Sequence, residues 1–123
     1  MIENFRRFQA GPDPFGRTWD VQFRWQQNGI SIRHADTIDV KFHLSKDGVT
    51  EERVLALPHP DLLALCAEVH RPITDAFVLK LAALHVREMI LTDKDLDKQL
   101  VTLTREDLDR HARTLEESET TVS

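Results

Sequence analysis

Residues 74 to 91 read Thr-Asp-Ala-Phe-Val-Leu-Lys-Leu-Ala-Ala-Leu-His-Val-Arg-Glu-Met-Ile-Leu, and this stretch decides the fold. It has no glycine or proline and consists mainly of strong helix formers, so it predicts a helix. On a period of 3.6 residues, apolar side chains cover most of that helix, and only two narrow polar strips remain. One strip carries Lys80 and Arg87, and the other carries His85 and Glu88. A helix that is apolar on nearly all sides must be covered on nearly all sides, which predicts the central helix of the fold.

Length, composition and charge narrow the class of protein. A chain of 123 residues fits one domain with one hydrophobic core. Cys66 is the only cysteine, which excludes an intrachain disulfide and a cysteine-based zinc knuckle. The first residues lack the pattern of a secretory signal, so a cytoplasmic location is expected. Residues 58–123 contain eight Lys/Arg and thirteen Asp/Glu, which accounts for the whole net charge of −5 and disfavours nucleic-acid binding.

Alternation of apolar and polar residues predicts strands in the first half of the chain. The clearest strand spans Arg17 to Gln27 and carries both tryptophans on its apolar face. Asn28-Gly29 follows and predicts a two-residue hairpin turn, because both central residues of a type I′ turn need a positive φ. That turn pairs Trp25 with Ile32, and so places Ile32 on the same face as the tryptophans.

Two further strands are predicted, from Ile38 to Leu44 and from Thr50 to Leu57. The pairing of these strands depends on the turn between them. A loop of three residues, 46–48, places Val40 opposite Val54 and turns the leucines of the last strand to the other face. Either a bulge or burial of both faces of that strand then has to be assumed, and the sequence leaves this choice open.

Helices dominate the second half of the chain. Pro60 and Asp61 begin one helix, Thr74 caps the central helix, and Thr104 with Asp107 resembles a capping box before a last helix. Residues 100–103 are left open between a fifth short strand and an extended connector. Residues 1–16 are expected to form an arm or loop, and residues 118–123 a disordered tail. The fold prediction is a single α+β domain over residues 1–123. It has a four-stranded antiparallel meander, about 17–57, followed by two or three helices on the apolar face of the sheet.

Few residue spacings suggest chemistry. Three sets could contribute to a metal site: His34 with Asp36, Cys66 with His70, and Asp93 with Asp95 and Asp97. Each set lacks the further ligands that would complete a site, and a structural role is the simpler interpretation. His85 is likewise interpreted as a buried, hydrogen-bonded histidine rather than a catalytic base. The sequence analysis therefore predicts no catalytic residue, no metal and no cofactor.

Two functional hypotheses remain. The favoured one is a small non-catalytic domain that acts by protein–protein interaction, with a homodimer as one form, because a meander leaves edge strands that need pairing. The alternative is a ligand-binding or enzymatic domain with a pocket between the sheet and the central helix. Arg33, His34, Asp36 and His85 are the polar residues expected to line that pocket. No role in nucleic-acid binding or in a membrane is expected.

Overall fold

A computed structural model describes residues 4–30 and 36–121 of the chain, with side chains described for residues 4–27 and 36–117. The elements, in chain order, are β1 (Arg7–Ala10), β2 (Trp19–Ile30), β3 (Asp36–Lys46), β4 (Val49–Pro58), α1 (His59–Val69), α2 (Asp75–Thr92), β5 (Leu100–Thr102) and α3 (Arg105–Thr121). The five strands form one sheet in the order β1-β2-β3-β4-β5. The first four strands are antiparallel, and β5 pairs with β4 in parallel. This confirms the predicted α+β class.

The core lies between one face of the sheet and the helices. Along β3, every second side chain is buried, namely those of Ile38, Val40, Phe42 and Leu44. Helices α1 and α2 pack on the sheet, and α3 packs against both of them. No helix in the described part of the chain combines the length and the apolar character that crossing a membrane requires.

Helix α2 is the central element, as its sequence predicts. Its N-terminus is capped by Thr74, whose hydroxyl oxygen accepts a hydrogen bond of 3.1 Å from the Phe77 backbone N–H. Eleven of the eighteen residues of α2 are buried, which is possible only because the sheet covers one side and α3 another. The polar strip with His85 and Glu88 is the side of α2 that contacts α3.

The hairpin between β3 and β4 settles the question of register. Asp47 and Gly48 have φ values of +52° and +79°, and they form a two-residue turn in which Lys46 pairs with Val49. Val40 consequently pairs with Leu55 rather than with Val54. The shorter turn brings the buried Leu55 and Leu57 to the core face without a bulge, and Ala56 between them is buried on the other face, so this part of β4 is covered on both sides.

The predicted hairpin at Asn28-Gly29 is wrong. Strand β2 continues through these residues, which pair with Ile38 and Thr37 of β3, and the connection to β3 falls in residues 31–35, outside the described residues. A local turn preference gives way here to a longer ladder of paired strands. The predicted partner of Trp25, Ile32, also lies outside the described residues.

The position of Trp25 also differs from the prediction. The register of β2 shifts between Phe23 and Trp25, so that Phe23 pairs with Phe42 and Trp25 pairs with Lys41. The bulge turns Trp25 out of the core face, and its side chain is 36% exposed. Period-two alternation places both tryptophans in the core, but alternation alone does not show where an extra residue is inserted into a strand.

The ends of the described chain are more regular than the sequence suggests. Arg7–Ala10, expected as part of an arm, forms the edge strand β1 beside β2. The loop after it is organised by Asp13, whose buried carboxylate accepts hydrogen bonds from the backbone N–H groups of Phe15 and Arg17 and from the Trp19 indole. Burial acts to raise the pKa of Asp13, but these hydrogen bonds hold it well below its usual range. At the other end, α3 continues through residues 118–121, where a disordered tail is predicted.

Candidate metal centre

Three side chains with metal-binding atoms converge between α2 and α3. His85 and Glu88 lie one turn apart on α2 and therefore share a face, and His111 of α3 lies opposite them. Nδ1 of His85 is 3.0 Å from Nε2 of His111 and 3.7 Å from Oε2 of Glu88. One such atom from each of the three residues lies within 4.8 Å of the other two, and no other group of this kind occurs among the described residues.

The capping of α3 fixes where His111 lies. The Asp107 backbone N–H donates to the Thr104 hydroxyl at 3.1 Å, and the Thr104 backbone N–H donates to the Asp107 carboxylate at 2.9 Å. This reciprocal pair confirms the predicted capping box and sets the start of the helix. His111 then falls on the same buried stripe as Leu108 and Leu115, and so faces α2.

Both histidines are held in the neutral form. His85 is only 6% exposed, and His111 is only 4% exposed. Desolvation lowers the pKa of both imidazoles, and that of His111 falls to about 4. A neutral imidazole is the form that binds metal ions, so burial prepares both rings for coordination near pH 7.

An arginine on α3 orients the carboxylate. Arg110 donates from Nε and from a terminal nitrogen to the two oxygens of Glu88, at 2.8 and 2.7 Å, and also donates to Asp107 at 2.7 Å. Burial acts to raise the pKa of Glu88, but the hydrogen bonds from Arg110 lower it overall. The pKa of Asp107 is likewise lowered, to about 2, because hydrogen bonds from Thr104 and Arg110 outweigh the effect of burial. Both carboxylates are therefore ionised at neutral pH.

A cavity of about 490 Å³ opens beside this cluster. Its wall is formed by the end of α2, the following loop, β5 and the first turns of α3, and includes His85, Glu88, Met89, Thr92, Lys94, Asp95, Val101, Thr102, Thr104, Glu106, Asp107 and Arg110. Two of these side chains are cationic and four are carboxylates, which gives the wall a formal charge of −2. A wall of that charge is complementary to a divalent cation.

Of the four residues expected to line a pocket beside the central helix, the structure describes two, His85 and Asp36. His85 lies in the cavity wall, but Asp36 is the exposed first residue of β3 and does not line it. Arg33 and His34 lie outside the described residues. Cys66 is buried in the core, which confirms its interpretation as a packing residue. Of the three aspartates considered together as a possible metal site, Asp95 forms an ion pair with Lys98 at 3.1 Å.

The sequence analysis did not identify Glu88, His111, Asp107 or Arg110 as site residues. Two signals were present, because Glu88 follows His85 by one helical turn and His111 interrupts the apolar stripe of the last helix. What the sequence lacked was the pairing of these two helix faces. The spacing of 26 residues between His85 and His111 corresponds to no helix or strand period. Only the packing of α2 against α3 brings the two residues together.

Comparisons of the chain with protein-family models, with curated proteins and with solved structures find no match. The function is therefore inferred from the geometry and chemistry of this chain.

Proposed function

We propose that the protein is a metal-binding domain that holds a divalent transition-metal ion of the zinc type between α2 and α3. The proposal rests on one observation, the convergence of His85, Glu88 and His111 within 4.8 Å. It develops the alternative hypothesis of a ligand pocket beside the central helix, but with a different set of residues. Of the four residues expected to line that pocket, only His85 belongs to the proposed site.

The donor atoms favour a transition metal over calcium or magnesium. Two imidazole nitrogens and one carboxylate oxygen suit zinc and its neighbours, whereas calcium and magnesium prefer oxygen ligands. Metal–ligand bonds of about 2.0–2.2 Å in a tetrahedron place neighbouring ligand atoms roughly 3.3–3.6 Å apart. The distances of 3.0 and 3.7 Å from His85 Nδ1 to its two neighbours lie just below and just above that range.

Zinc titration of the metal-free protein tests the proposal. The protein is dialysed against EDTA and then titrated with Zn²⁺ in competition with a chromophoric chelator. We expect one ion per chain. We also expect His111→Ala to weaken zinc binding by more than about 10- to 100-fold, which is the usual effect of removing an outer-sphere contact. Glu88→Gln, which keeps the size of the side chain but removes its charge, should also weaken binding.

The matched control is His43→Ala. His43 Nε2 lies 3.3 Å from Glu52 Oε1 on the sheet, so it also forms a histidine–glutamate contact, but that contact lacks a third ligand. We expect this variant to bind zinc as the unchanged protein does. Absence of binding by the unchanged protein would contradict the proposal, as would equal losses in the His43 and His111 variants.

A second function, protein–protein interaction, is supported by the outer face of the sheet. In the described part of the chain, α1 and α2 pack on one face of the sheet, and α3 packs on these two helices rather than on the outer face. Trp25, Lys41, Val54 and Leu100 are successive partners across four strands, and they form a row on the outer face. The two ends of the row are large apolar side chains that remain exposed, Trp25 at 36% and Leu100 at 59%. We propose that a protein partner covers this row, with a second copy of the chain as the first candidate and the cytoplasm as the expected location.

Sedimentation velocity over a range of protein concentrations tests the homodimer. We expect a monomer–dimer equilibrium that Trp25→Arg weakens. Leu63→Arg is the control, because Leu63 is also exposed, at 54%, but lies on α1 in the helical layer. A monomer at every concentration would contradict the homodimer.

A further inference from the structure

We propose, on the basis of the proposed metal-binding function, that the bound ion keeps one coordination position open to the cavity. A small oxygen-donor molecule, neutral or singly charged, takes this position in exchange for water. The site would then be of the type found in catalytic rather than structural zinc centres, in which three protein ligands leave the fourth position to water or substrate.

The three side chains leave a tetrahedral zinc ion one ligand short. His85, Glu88 and His111 supply three atoms, whereas zinc takes four. Asp107 also lies on α3 and contacts Arg110, but it does not belong to this group, and among the described residues the group contains no fourth ligand.

The three ligands lie on different sides of the proposed ion relative to the cavity. His85 and Glu88 form part of the cavity wall, but His111 does not and is almost completely buried. An ion shared by all three residues therefore has His111 on its inner side and the cavity on its outer side. The position that no side chain occupies faces the cavity.

The cavity restricts the size and the charge of the molecule. The cavity of about 490 Å³ falls within the range of about 300–1,000 Å³ that is typical of small-molecule sites. The wall charge of −2, from two cations and four carboxylates, becomes zero when a divalent ion is added. A neutral wall gives no electrostatic advantage to a multiply charged anion such as phosphate, so a neutral or singly charged oxygen donor is favoured. Met89 and Val101 provide apolar surface for the rest of the molecule.

Cobalt substitution tests the open position. The metal-free protein is loaded with Co²⁺, whose visible absorption depends on its coordination, and acetohydroxamate is then added as a small oxygen donor. We expect the spectrum to change in a saturable manner while equilibrium dialysis shows that cobalt remains bound to the protein. The His43→Ala variant should respond in the same way, because His43 lies on the opposite face of the sheet from the cavity.

The outcomes separate the inference from the proposed function. If cobalt binds but its spectrum is unchanged by acetohydroxamate, the coordination is closed and the inference is overturned, while metal binding stands. If neither cobalt nor zinc binds, the proposed function fails and the inference fails with it. A further variant, Thr102→Phe, adds bulk to the cavity wall at β5. We expect it to lose most of the response to acetohydroxamate in samples with the same cobalt content, and an unchanged response would place the ligand outside this cavity.

Discussion

Two histidine–glutamate contacts in this protein use the same chemical groups in opposite surroundings. On the outer face of the sheet, His43 lies 3.3 Å from Glu52, and the ammonium group of Lys41 contacts the same carboxylate at 3.0 Å. Between α2 and α3, His85 and Glu88 are joined by His111. The glutamate side chain is 58% exposed in the first contact and 34% exposed in the second.

The difference shows how packing converts ordinary residues into a candidate site. On the sheet, the carboxylate is open to water, and its pKa is lowered mainly by the hydrogen bond from Lys41. Between the helices, burial removes water from the imidazoles and keeps them neutral, while Arg110 fixes the carboxylate. Only the second contact combines neutral imidazoles, an oriented carboxylate and an adjoining cavity.

The largest expected difference between the two contacts is the response of stability to zinc. A ligand that binds only the folded state, at a free concentration about 1,000 times its dissociation constant, raises the free energy of unfolding by about 4 kcal/mol. We expect urea unfolding to show an increase of this size for the unchanged protein and for His43→Ala. The increase should disappear on addition of EDTA and be much smaller in His111→Ala. An undiminished zinc effect in His111→Ala would place the ion elsewhere.

Acid should destabilise the metal-free protein through the buried pair. An imidazole in the unfolded chain titrates near 6.5, but the pKa of folded His111 is about 4, and that of His85 is also lowered. Glu88 and Asp107 oppose this lowering and Arg110 adds to it, but desolvation outweighs them. The unfolded state therefore binds more protons between these pH values. The contribution of the pair is complete above about pH 6.5 and is lost towards pH 4, by about 3 kcal/mol for His111 alone.

Urea unfolding in EDTA at several pH values measures this loss. Carboxylates also titrate in the lower part of the range, so the comparison is made with the double variant His85→Leu/His111→Leu, which keeps the carboxylates and lacks the pair. We expect the double variant to show a smaller loss of stability between pH 6.5 and pH 4. Equal losses in the two proteins would contradict the assignment to the histidines.

The losses of stability caused by replacing the two buried histidines should not add. The double variant should be more stable than the single one. His111→Leu removes the ring that shares the hydrogen bond with His85 Nδ1, and an unsatisfied buried polar atom costs about 1–3 kcal/mol. Replacing both rings by leucine leaves no such atom, so we expect the double variant to recover most of that loss. The measurement is urea unfolding in EDTA at pH 7. A double variant less stable than the single one would show that the two histidines stabilise the fold by more than the hydrogen bond between them.

The smallest effect is expected at the exposed contact. His43→Ala removes one side of a contact that is open to water, and exposed polar pairs of this kind contribute little to stability. We expect its urea midpoint at pH 7 to differ from that of the unchanged protein by less than the His111→Leu midpoint does. A larger shift would mean that the contact with Glu52 is stronger than its exposure suggests.

Local patterns carried much of the fold. The apolar surface of residues 74–91, the alternation along β3 and the caps at Thr74 and Thr104 are each visible within a few residues, because helix and strand periods and N-terminal caps are local effects. The bulge that turns Trp25 outward and the continuation of β2 through Asn28-Gly29 were missed, because both depend on pairing with a distant strand. Asp13 was assigned to a turn-rich arm, since its partners Arg17 and Trp19 close around it only in the folded loop.

The sequence by itself determined the α+β class and the central helix, since apolar periodicity alone requires that helix to be covered. Only the tertiary structure decided that His111, which follows His85 by 26 residues and lies on another helix, meets His85 and Glu88 beside a cavity. The physical reason is that helix periodicity shows which side chains point inward, whereas the choice of the helix that faces them is made by the packing of the whole core.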